Sequence, residues 1–77
     1  MNKPRRKELN RALEMLAEAR AIIEAMQEEE QESFDNMPEG LQCSELGEKI
    51  EENAGRLEEI ASYIEEQESE LEDVIYG

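Results

Sequence analysis

Along the second half of the chain, Leu46, Ile50, Asn53, Leu57, Ile60, Ile64, Gln67, Leu71 and Val74 alternate steps of four and three residues. All but the two amides are aliphatic, and the spacing is that of a coiled-coil-like helix seam. The first half carries a complementary series: Leu9, Ala12, Leu16, Ala19, Ile23, Met26, Glu30, Ser33 and Met37. If the chain folds back near Gly40, each position of one series meets the position of the other whose number sums with it to 83, from Met37 with Leu46 to Leu9 with Val74. Two patterns agreeing in register layer after layer predict an all-α fold, an antiparallel two-helix hairpin.

The punctuation of the chain agrees. Asn2, Lys3 and Pro4 suit the start of a helix, because a proline in the first turn lacks only a donor that has no partner there. No Pro or Gly then occurs until Pro38, so the first helix is expected over about 4–35. Asn36-Met37-Pro38 disfavours helix ahead of the proline, and Glu39-Gly40 supplies turn chemistry, giving a connection over 36–44 in which Leu41 is expected to cap the hairpin end. Ser44 is a good N-cap, with Glu45 behind it in the first turn, and the second helix is expected over about 45–75. The whole chain, 1–77, reads as one domain. This register sets Phe34 over Gly47, Glu29 opposite Arg56 and Ile22 against Tyr63. Gly55 falls at an outward position, where it costs about 1 kcal/mol relative to Ala or else admits a partner backbone at close range.

The apolar surface is wider than a two-helix seam requires. A single seam in a chain this short leaves a lone hairpin marginal, at about 1.5 to 3 kcal/mol for each large side chain buried. A homodimer closing into a four-helix bundle is therefore expected. Leu13, Phe34, Ala54, Ala61 and Ile75 form the flank assigned to the second copy, and Met15, Ile22 and Tyr63 the runner-up flank.

Charge adds direction to this picture. The chain holds 22 acidic and 8 basic residues, a net charge of −14. Lys3, Arg5, Arg6, Lys7 and Arg11 gather at the start of the first helix, whereas residues 65–73 carry acidic side chains and no base. Each group opposes its own helix dipole, and the hairpin relieves both by laying one beside the other, with Arg11 near Glu72. In the predicted core Glu30 and Asn53 share a layer, which reads as a register-fixing polar pair or as a specific contact. Gln67 opposite Leu16 is a second, weaker break.

Candidate chemistry is sparse. There is no histidine, hence no imidazole base and no Glu-x-x-His motif of the kind that binds two metals in helical bundles. Cys43 is the single cysteine, too few for an internal disulfide or a thiolate metal site, though an intermolecular crosslink is open to it. Asp35 and Asn36 do not begin a calcium loop, because Pro38 and Gly40 break its pattern. No cofactor, metal or enzymatic activity is expected. Charged residues interrupt every apolar run, so neither a secretory leader nor a membrane span is expected, and the chain is assigned to a cytoplasm.

The sharpest feature is an acidic doublet repeated every seven residues in the second helix: Glu51-Glu52, Glu58-Glu59, Glu65-Glu66 and Glu72-Asp73. No Lys or Arg follows Arg56 to pair with them in the helix, so like charges accumulate. A solvated face is one reading; a contact for a basic, nucleic-acid-binding protein is the other. Doublets give one charge per ~5 Å of helix against one per ~1.7 Å for duplex DNA, so any mimicry is partial. Direct nucleic-acid binding is not expected of so acidic a chain.

The stretch Glu28-Glu29-Glu30-Gln31-Glu32-Ser33-Phe34-Asp35-Asn36-Met37-Pro38-Glu39-Gly40-Leu41-Gln42, followed by Ser44-Glu45 and Gly47-Glu48, resembles the hairpin region of small acidic helical proteins encoded in bacteriophages and bacterial mobile elements. The resemblance covers about a third of the chain, and it implies an accessory role in a bacterial host cytoplasm without assigning an activity to any residue. Together these features lead to the expectation of a non-enzymatic protein-binding module, an acidic inhibitor or decoy that occupies a basic surface of a host protein. The alternative is a structural or adaptor bundle binding through its apolar flanks.

Overall fold

The structure, a computed structural model, describes all 77 residues. It is all-helical: α1 spans Lys3–Asp35, α2 is a single turn over Glu39–Gln42, and α3 spans Glu45–Tyr76. α1 and α3 lie side by side and antiparallel in a rod of 59 × 15 × 13 Å.

Each end is closed by the residues its sequence supplies. The Asn2 side chain accepts from the backbone N–H of Arg5 at 2.9 Å, with Pro4 in the first turn. Ser44 accepts from the N–H of Gly47 at 3.2 Å and so caps α3, while its own hydroxyl donates to the carbonyl of Leu41. Carbonyls at the end of α1 have no partner inside the helix, and Gln42 Nε2 donates to one of them, Phe34, at 2.9 Å. At the open end of the hairpin, Arg6 Nε donates to the carbonyl of Ile75 at 3.1 Å, placing a cation from the start of α1 on the negative end of α3. The Tyr76 hydroxyl donates to Asn10 Oδ1 at 2.9 Å alongside it.

Contacts across the hairpin all fall within a heptad of the expected register: Arg6 with Ile75, Asn10 with Tyr76 and Arg20 with Glu68 sum to 81, 86 and 88. Long side chains lean toward the N-terminus of their own helix, so in an antiparallel pair the tips of Arg20 and Glu68 meet although their Cα atoms are offset along the rod. The 59 Å length agrees: with levels summing to 83, Glu45 stands level with Pro38 and the rod extends roughly 57 Å, whereas a sum of 88 would lengthen it to about 63 Å.

Both helices are rotated from the expected seam. On α1 the partly covered column is Leu13, Arg20, Gln27 and Phe34, and it takes the place of Ala19, Met26 and Ser33, which are exposed. On α3 Gly47, Ala54, Ala61 and Ile75 are buried, whereas Leu46, Ile60 and Val74 are exposed. The columns of Leu16 and Ile23 on α1, and of Ile50, Leu57, Ile64 and Leu71 on α3, belong to the seam in either reading.

The cause of the rotation is the small column of α3. Helices approach most closely where side chains are short, and buried Ala54 and Ala61 let α1 pack closely on α3. At Gly47 the neighbour is the connection itself: a Cβ there would sit 2.5 Å from the carbonyl oxygens of both Leu41 and Gln42. Backbone, and not the Phe34 ring, therefore fills the space over Gly47, and the Leu41 side chain is exposed instead of folded over the hairpin end. A Cβ added at Gly55 would meet nothing within 4 Å, so no close approach occurs there within the chain.

Candidate functional site

Rotation of the seam sorts the remaining side chains onto two unlike faces. All eight doublet residues, Glu51, Glu52, Glu58, Glu59, Glu65, Glu66, Glu72 and Asp73, are exposed. Heptad geometry places the second member of each doublet directly opposite the observed seam. In the observed seam the first members, Glu51, Glu58, Glu65 and Glu72, flank the groove between the helices. There Glu58 and Glu65 line a shallow cleft with Glu24, Gln27 and Glu28 of α1. The acidic surface is thus built by both helices, wider than the doublets alone.

One cation serves this surface. The Arg20 side chain bridges the helices, its Nε 2.5 Å from Glu68 Oε2 and its Nη1 2.9 Å from Glu24 Oε1. The hydrogen bond to Glu68 raises the guanidinium pKa above its ordinary value, partial burial opposes this, and the charges of Glu68, Glu24 and Glu65 add to the rise. Apolar periodicity does not single out Arg20. The sequence does carry a signal for it, because it is the only base between Arg11 and Lys49 and lies a heptad from Leu13 and Gln27.

The chain's ion pairs are three: Glu8 with Arg11, and Arg20 with Glu24 and with Glu68. No doublet residue takes part. Arg11 pairs within its own helix and not with Glu72, and Arg56 has no ion pair with Glu29.

The flank expected to receive a second copy is used within the chain. Ala54, Ala61 and Ile75 are only 1%, 6% and 2% exposed. Leu13 and Phe34, in the facing column of α1, are partly covered. The α3 side of this flank is thus covered within the hairpin itself, while Leu13 and Phe34 keep part of their surface exposed. The runner-up positions Met15, Ile22 and Tyr63 are open to solvent instead.

Glu30 and Asn53 share a groove with Arg56, Leu57 and Ile60, and both remain partly exposed, so the carboxylate reaches water. Leu16 and Gln67 likewise meet in one groove. Cys43 is a free, exposed thiol in the connection, and the neighbouring Ser44 hydroxyl is occupied in capping α3. No group of three or more Cys, Asp or Glu side chains is arranged to hold a metal ion, and no helix is long and apolar enough to cross a membrane. No known protein family, curated protein or solved structure gives a match to this chain.

Proposed function

We propose that the chain is a non-enzymatic protein-binding module whose acidic face engages a cationic surface on another protein. The observation that carries this reading is the set of eight exposed doublet carboxylates, none in an ion pair, joined across the groove by Glu24 and Glu28. Like charges held this close oppose folding, and a basic partner relieves that repulsion while the field steers its approach.

The most concrete form is an inhibitor or decoy of a nucleic-acid-binding protein, as would suit the phage or mobile-element setting implied by the turn region. The charge spacing is about one per ~5 Å along the doublets, well below that of duplex DNA, so the contact is a partial mimic. The test is capture from bacterial lysate at low and high salt, with Glu58, Glu59, Glu65 and Glu66 all changed to Gln in a parallel bait. A basic protein lost in high salt, lost with the Gln bait and displaced by added DNA supports the reading. Partners that survive all three treatments overturn it in favour of an adaptor that binds through apolar surface.

A further inference from the structure

The hairpin leaves a continuous apolar face opposite the acidic one. Met15, Ile22 and Met26 of α1 and Leu46, Ile60 and Tyr63 of α3 are each 45% exposed or more. Heptad geometry puts them together. Stepping round either helix from the covered seam by about 100° reaches the column of Met26 and Ile22 on α1 and that of Ile60 and Tyr63 on α3. In an antiparallel pair both columns fall on the same side.

We propose that this face closes on a second copy of the chain, with α1 of each hairpin lying over α3 of the other, in an all-antiparallel four-helix bundle. The first argument is the direction of the apolar pattern. In a square bundle each helix has neighbours on two sides about 90° apart, and its most apolar stripe points between them, at the centre. The stripe Leu46, Ile50, Leu57, Ile60, Ile64 points neither at α1 nor straight outward but midway between the hairpin seam and the open face. On α1 the stripe Leu9, Leu16, Ala19, Ile23, Met26 is offset from the hairpin seam in the same sense. Two helices rotated independently toward one face are half of a four-helix core.

The second argument is complementarity. With the two-fold axis along the rod, levels are preserved between copies, so α1 meets the other copy's α3 in nearly the register that it has in its own hairpin. This brings Met26 toward Ile60, Ile22 toward Tyr63 and Ala12 toward Val74. It also sets Glu29 against Arg56, and neither residue has an ion pair within the hairpin. The basic start of α1 falls near the acidic end of the other α3, with Arg11 close to Asp73. The third is area: one whole side of the rod, 59 by 15 Å, offers at most roughly 900 Å² on each copy, so contact along nearly its full length reaches the ~800 Å² per partner of a standard stable interface. The acidic faces then lie on the two outer sides of the bundle, so this contact does not depend on what they bind.

Sedimentation equilibrium at micromolar concentration is expected to give a dimer. Glu29→Arg or Arg56→Glu alone should weaken it about tenfold or more by setting like charges together, and the double variant should restore it. All these positions are exposed, and helix content by circular dichroism reports whether each hairpin is intact. In a Cys43→Ser background, an Ile22→Cys chain mixed with a Tyr63→Cys chain should form a covalent heterodimer on mild oxidation, while Ile60→Cys alone should not crosslink to itself. A folded monomer at all concentrations, failure of the charge swap to rescue, or self-crosslinking at position 60 would overturn the proposal, the last because it places α3 over α3.

Discussion

Arg20 and Glu68 lie 48 residues apart in the chain and 2.5 Å apart in the fold, and this pair ties the two long helices together. Both side chains are mostly covered, at 27% and 12% exposure. Removing one partner strands the other where water reaches it poorly, whereas replacing both with aliphatic side chains removes the desolvation penalty together with the attraction. Arg20→Leu and Glu68→Leu alone should each lower the melting temperature, and the double variant should melt at or above the parent. A double variant less stable than either single one would show that the bridge stabilises the fold outright.

The two interior glycines of α3 make opposite predictions. Gly47→Ala drives a Cβ to 2.5 Å from two backbone carbonyls, a clash that only displacement of the connection can relieve, and should destabilise by about 1 to 3 kcal/mol. Gly55→Ala meets open space and should stabilise by about 1 kcal/mol through helix propensity. Urea titrations of the two variants check both signs, and equal effects would contradict the packing at Gly47.

Ser44 tests the start of α3 in isolation. Its side chain satisfies the N–H of Gly47 at 3.2 Å, so Ser44→Ala should cost about 1 kcal/mol, and Ser44→Asp should retain most of the stability because a carboxylate serves as cap and suits the helix dipole. Thermal melts of the pair would decide it, and an unchanged Ser44→Ala variant would mean the cap is not formed in solution.

Ala54 tests the rotation of the seam. It is 1% exposed, packed within the hairpin, whereas the expected seam leaves it on the flank assigned to a second copy. Ala54→Leu should therefore overpack the helix interface and destabilise by about 1 to 3 kcal/mol. A neutral result in a melt would contradict the burial of Ala54 between the helices.

Salt should stabilise the protein. Unpaired doublet carboxylates repel one another across solvent, and raising ionic strength from about 0.01 M to about 0.15 M shortens the screening length from ~30 Å to ~8 Å. The melting temperature should climb over that range, with the partly covered Arg20–Glu68 pair little affected. A flat or falling profile would show that the acidic face is not under strain.

Much of this fold is written in local chemistry. The ends of the two long helices follow from Asn2, Pro4, Pro38 and Ser44, whose effects act within one turn of backbone and need no tertiary partner. The exposure of the doublets can likewise be read from their spacing, since no neighbouring column offers a cation. Arg20 is different, because a charged side chain in a seam carries no apolar signal, and only its juxtaposition with Glu68 gives it a role.

The sequence by itself determined two long helices, their caps, the fold-back between them and an acidic repeat along the second. Tertiary structure alone decided which column of each helix faces the other. Periodicity locates a stripe to within a column, about 50° of rotation, and an apolar stripe points toward whatever buries it, with no mark to distinguish a partner in the same chain from the centre of a larger bundle. The choice was made by close packing, where Ala54 and Ala61 allow an approach that Leu46, Ile60 and Val74 would block, and by the reach of Arg20 to Glu68.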